Sequence, residues 1–135
     1  MMTIWYIFGV LALGLLILFL ISRPRKLSEK DFSLVLHKWK DIEAYTEEKR
    51  LKEALMEADK LVDFVLRRLN VRGKTFAERL KLAKSLFSDS NYQALWEAHK
   101  LRNKLMHEVN FHLSDYHGET AIDAFYNALK NLKAL

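Results

Sequence analysis

Two rhythms divide the chain. From Ile4 to Ile21 every residue is uncharged and nearly all are apolar, whereas from Ser28 onward apolar side chains recur every three or four positions among charged ones. A helical segment of about 20 apolar residues is about 30 Å long, the thickness of a bilayer's hydrocarbon core, so residues 4–21 predict a membrane-crossing helix. Beyond it the first helix starts near Ser28, with Asp31 three residues on, and repeats Phe32, Val35, Trp39 and Ile42 along one face. A second runs from about Glu47 to Leu69 through Leu51, Ala54, Leu55, Ala58, Val62 and Val65. Thr75 followed by Glu78 is a capping box that opens a third helix just after Gly73. The fourth opens near Ser90, with Gln93 at the matching position, and the fifth covers about 115–133 with Ser114 as its cap and Gly118 as a weak point. Polar breaks fall near 45–48, 70–75, 88–91 and 110–115, and no alternating strand pattern occurs.

The pattern predicts an all-α protein, a single N-terminal transmembrane helix followed by an antiparallel bundle of about five helices. Residues 1–22 form the expected anchor, 23–27 a basic juxtamembrane linker and 28–135 one helical-bundle domain, with Pro24, the sole proline, marking the boundary.

Charge adds a direction. No Lys or Arg precedes the apolar run, while Arg23, Arg25, Lys26 and Lys30 follow it, so the positive-inside bias predicts the N-terminus outside and the bundle in the cytoplasm. A cleaved signal fits less well, because it wants a basic segment first and small residues at the cleavage site. The net charge of +5 lies wholly beyond residue 22, and the juxtamembrane cations account for much of it. The remaining excess is too small to argue by itself for a nucleic-acid partner. Without cysteine the chain has neither disulfides nor thiolate metal ligands.

Candidate chemistry gathers on the fourth helix. On a helical wheel of residues 92–110, Leu101, Ala94, Leu105, Ala98, Val109, Leu95 and Met106 form a continuous apolar arc, and Arg102 falls inside it. His99, Asn103, His107 and Asn110 line one border of that arc together with Tyr92 and Trp96. A guanidinium left buried and unpaired costs several kcal/mol, so Arg102 must find a carboxylate, line a polar cleft or face another chain. Asp59, at the border of the second helix's apolar arc, is the candidate partner, with Asp63 one turn later. Arg102, Asn103 and His107 together offer a fixed cation for a phosphate, an amide to orient it and an imidazole that moves protons near neutral pH. The competing account makes the same residues a structural ion pair and its surroundings.

The spacing of Arg102, Asn103 and His107 resembles the R-N-x-x-x-H form of the R-x(4–6)-H motif of the HEPN superfamily, helical bundles that carry it on a late helix. The text EADKLVDFVLRRLNVRGKTFAERLK followed by YQALWEAHKLRNKLMHE is also similar to a group of small membrane-anchored bacterial proteins of unknown function. The resemblance covers about 30–134. It implies a homodimer with two motifs in one cleft and, in active members, metal-independent RNA cleavage; inactive members serve as binding modules. Carried over, Arg102 would stabilise phosphate charge, His107 would act as acid or base and Asn103 would position them. From their places on the helical wheels, His99, Asp59 and Asn110 are the candidate binding residues.

Other signals fail on inspection. His107 and Glu108 begin like a zinc-protease motif, but Phe111 stands where its second histidine belongs. Gly73-Lys74-Thr75 resembles the tail of a P-loop, yet Arg68 replaces the required glycine. No cofactor and no metal are expected. Trp39 and Trp96 read as core or edge aromatics, and Phe64, on the polar side of its helix, as the candidate subunit contact. The expected partners are the membrane, through residues 4–21, and RNA or a nucleotide; a homodimer and an unidentified protein partner complete the set. The rival function is a non-catalytic interaction or scaffold module in which the Arg/His motif is structural.

Overall fold

The computed structural model describes residues 1–23 and 25–135, so Pro24, the expected boundary, lies outside the described residues. Its regular elements are all helical: α1 (Met2–Ser22), α2 (Glu29–Glu47), α3 (Leu51–Arg68), α4 (Phe76–Leu82), α5 (Asp89–His107) and α6 (Asp115–Asn131), with a 3₁₀ turn at Lys84–Leu86. None of α1 is buried, and the helix is long and apolar enough to cross a membrane. Length and composition fit a single-pass anchor and a signal sequence alike.

Hydroxyl caps set most of the starts. Ser28, Thr75, Ser88 and Ser114 each sit in extended backbone and accept a hydrogen bond from the amide three residues on. Glu78 also accepts from the Lys74 amide at 2.6 Å, which leaves the expected capping box shifted by one residue. The fourth helix of the bundle, α5, begins at Asp89 rather than near Ser90, because Ser88 is the cap, and Gln93 instead donates to Glu97 at 3.3 Å. The second begins at Leu51 rather than Glu47, since Lys49 adopts a left-handed φ of 59° and breaks the chain between α2 and α3.

Helix α3 is the centre of the bundle and packs against α2, α4, α5 and α6. Leu55, Ala58, Val62, Val65 and Leu66 on α3 are fully buried, and they meet Val35 and Ile42 of α2, Leu95 of α5 and Phe125 and Leu129 of α6 in one core. The start of α2 lies beside the end of α3, where Arg68 stands 3.5 Å from Asp31, so these two run antiparallel. Ser88 donates to Asn131 at 3.2 Å, and α5 and α6 are antiparallel in the same way. Helices α3 and α6 run parallel, with their starts joined by Lys49 and Glu119 at 2.5 Å. That hydrogen bond raises the Lys49 ammonium above its ordinary value, although two exposed partners tie the helices only weakly.

Gly118, expected as a weak point of α6, is buried where α6 crosses the start of α3. A Cβ there would lie 3.1 Å from Leu51 Cδ1 and 3.2 Å from its Cβ. Gly118→Val is therefore expected to destabilise the bundle by about 1–3 kcal/mol through overpacking, read as a lower denaturant midpoint by circular dichroism in detergent.

Candidate functional site

Four polar side chains meet where α5 crosses α3. Asp59 is 4% exposed on α3, and His99, on the facing surface of α5, is 7% exposed. Their contact, Nδ1 to Oδ1, measures 2.7 Å. Arg102 Nη1 donates to Asn103 Oδ1 at 3.3 Å, and Asn103 Nδ2 lies 3.3 Å from His99 Nε2. A guanidinium can only donate, so Asn103 must present its carbonyl oxygen to Arg102 and its NH₂ to the imidazole. His99 Nε2 then accepts, and its Nδ1–H donates to Asp59. Arg102 Nε stands 3.5 Å from Asp59 Oδ2 and closes the circuit.

This last contact is an ion pair of poor hydrogen-bond geometry. Nε is buried and makes no hydrogen bond among the described residues, yet at 3.5 Å in a medium of low polarity it still feels the carboxylate. The Arg102 side chain as a whole is 22% exposed. The ring is roofed by aromatic groups: Phe76 of α4 meets the His99 imidazole edge-on with centroids 4.6 Å apart, and Trp96 packs at 6.2 Å.

The candidate residues divide accordingly. Asp59, His99, Arg102 and Asn103 come together. His107 does not join them; it is the last residue of α5, exposed and with its imidazole making no hydrogen bond among the described residues. Asn110 lies beyond the helix, which ends at His107 rather than continuing to 110, because Glu108 turns to extended backbone at φ −95° and ψ 119°. With the helix ended, the apolar arc also stops short: Met106 is half exposed and Val109 is 97% exposed, while Leu101 and Leu105 remain partly buried.

A second largely buried ion pair lies beside the first. Arg79 of α4 clasps Asp63 in a two-pronged bond, Nε to Oδ1 at 2.6 Å and Nη2 to Oδ2 at 3.1 Å, and its third nitrogen donates to the Gly73 carbonyl. Its sequence signal was present, since Arg79 falls in the apolar face of α4 between buried Phe76 and Leu80, as Arg102 does in α5. Gly73 holds φ +140°, and a Cβ on it would lie 2.8 Å from the Arg79 backbone nitrogen, so this turn requires glycine. Among the described residues, no three His, Asp or Glu side chains converge in a way that could hold a metal. Phe64 is half-buried in a groove between α2 and α3, lined also by Leu34, Leu61 and Arg67.

Comparison with protein-family models, with curated proteins and with solved structures yields no match for this chain.

The ring predicts a graded response to substitution. Asp59→Ala strands a buried imidazole N–H and a guanidinium together and is expected to cost about 3 kcal/mol, whereas exposed His107→Ala changes stability by about 0.5 kcal/mol or less. A double-mutant cycle across Asp59 and His99, measured by urea denaturation in detergent, is expected to give a coupling of about 1 kcal/mol or more.

Proposed function

We propose that the chain is a membrane-anchored, HEPN-like helical module that acts by binding a protein partner, with residues 28–135 on the cytoplasmic side. The closed ring of Arg102, Asn103, His99 and Asp59 carries this reading. A site for acid–base or phosphate chemistry needs donors and acceptors free to meet substrate, and these four engage one another. In this account Arg102 holds α5 to α3 and has no substrate. The anchor assignment is supported by the exposed apolar length of α1, and its orientation by the cations that directly follow it.

A second reading is favoured by a separate observation. Met106 and Val109 leave the end of α5 apolar and uncovered beside exposed His107. Two copies packed through that end would bring two Arg102/His107 sets into one cleft, the arrangement that the HEPN resemblance implies for metal-independent RNA cleavage. Arg102 would then meet the phosphate with its exposed portion and His107 would move the proton.

One assay separates the two. The purified chain in detergent is incubated with single-stranded RNA in the presence of EDTA, as wild type and as His107→Ala. The binding-module reading expects no cleavage above background from either; EDTA-resistant cleavage that falls about a hundredfold or more in His107→Ala establishes the nuclease instead.

A further inference from the structure

The chain rejoins the bundle as soon as it leaves α1. The Arg25 amide donates to the Leu69 carbonyl at 3.1 Å, which ties the segment after α1 to the end of α3. Ile21 and Ser22, the last turn of α1, share a cavity of about 320 Å³ with Leu69, Arg72, Leu82 and Leu86. One end of the bundle therefore abuts the place where the apolar helix stops.

That end has a distinctive chemistry. Arg72 lines that cavity with Leu82, Arg25, Lys26 and Lys133 line a neighbouring recess that shares Leu69 and Leu86 with it, and Lys81 and Lys84 flank Leu82 along the chain; all six are exposed. The ion pairs among the described residues involve none of them. Lys84 leans over the Tyr92 ring at 5.8 Å, and Glu29 is the acidic group that shares a recess of about 600 Å³ with Arg25, Lys26 and Lys133. Asp89, at the start of α5, is also on this end. In the midst of the cations Leu82 is 65% exposed, although it closes a helix whose Phe76 and Leu80 are buried. The opposite end carries Glu47, Glu48, Asp115 and Glu119 alongside Lys49, Arg50 and Lys52, a mixed population partly joined in ion pairs.

An exposed leucine ringed by unpaired cations, at the level where an apolar helix ends, matches the interfacial layer of an anionic bilayer: an apolar side chain enters the acyl boundary while ammonium and guanidinium groups meet phosphates. We propose that this end of the bundle docks on the membrane that α1 crosses, with Leu82 inserted and the six cations on anionic headgroups. The proposal rests on the anchor reading of α1. It goes beyond that reading, because a tether alone leaves the bundle free to tumble, whereas docking fixes its orientation and turns the end of α5 away from the membrane. Tethering also keeps the face at high effective concentration near the lipid, so modest attraction suffices.

The absence of cysteine allows a single probe. The full chain, carrying a nitroxide attached through Leu82→Cys, is placed in nanodiscs of phosphatidylcholine alone or mixed with phosphatidylglycerol, and collision rates with oxygen and with a water-soluble nickel chelate are compared. In the anionic discs at low salt the oxygen-to-nickel ratio is expected to rise about threefold, to fall back at high salt, and to fall back in the added presence of Arg72→Glu and Lys133→Glu. A probe attached through Tyr116→Cys, at the far end, is expected to stay aqueous in both lipids. A Leu82 probe equally open to the nickel chelate in both lipids, in a chain that co-elutes with the discs, overturns the docking and leaves the anchor standing. A chain that does not co-elute overturns both.

Discussion

The Asp59 carboxylate, brought to 4% exposure on the most heavily packed helix of the bundle, has to be met by donors, and much of the arrangement follows from how it is met. Apolar faces attract without direction, so the matching stripes of α3 and α5 bring the two helices together but leave rotation and sliding loosely specified. The 2.7 Å contact with His99 favours one rotation of α5 about its axis, and in that register Arg102, three residues along, lies 3.5 Å from the other carboxylate oxygen. One turn further on, Asp63 does the same for α4 through the two-pronged clasp of Arg79. Two acids four apart on one helix thus orient two neighbours, and breaking either contact strands a charge.

This accounts for the character of the site. Each member of the ring contacts another, with Arg102 Nε alone left without a hydrogen bond, and the aromatic rings of Phe76 and Trp96 pack against His99. A circuit of that kind gives rigidity and a single packing, which suits a binding platform better than proton transfer. Met106 and His107 are exposed in the last turn of α5, which makes that turn the part of the helix available to another molecule.

The molecule is also polarised along its length. Cations unpaired within the fold and an exposed leucine stand where α1 ends, and mixed, partly paired charges stand at the other end. Like-charged groups from separate elements repel one another, and keeping them together weakens the fold unless something anionic lies opposite. An anionic bilayer is the surface closest to hand if α1 crosses it. The end of α5 points the other way, so the bundle would offer one face to lipid and the other to a partner.

Much of this was legible in the chain, for local reasons. Helix periodicity needs only neighbouring residues, and Ser28, Thr75 and Ser114 act as caps through amides three positions away, so they appeared where expected. Ser88 rather than Ser90 caps α5, a choice between two similar hydroxyls that local sequence leaves open. The anomaly of Arg102 in an apolar arc was visible too, because a charge among leucines demands a partner. Which partner it had, that His99 would be drawn into the same ring, and that His107 and Asn110 would stand outside it depended on where α5 crosses α3 and where the helix ends. The clustering of Arg25, Arg72, Lys81 and Lys133 on one end likewise has no trace in spacing, since these residues are brought together only by the turns between helices. Short-range hydrogen bonding and periodic burial are written into the order of residues, whereas pairings across 40 residues, such as that of Asp59 with His99, exist only once the helices have packed.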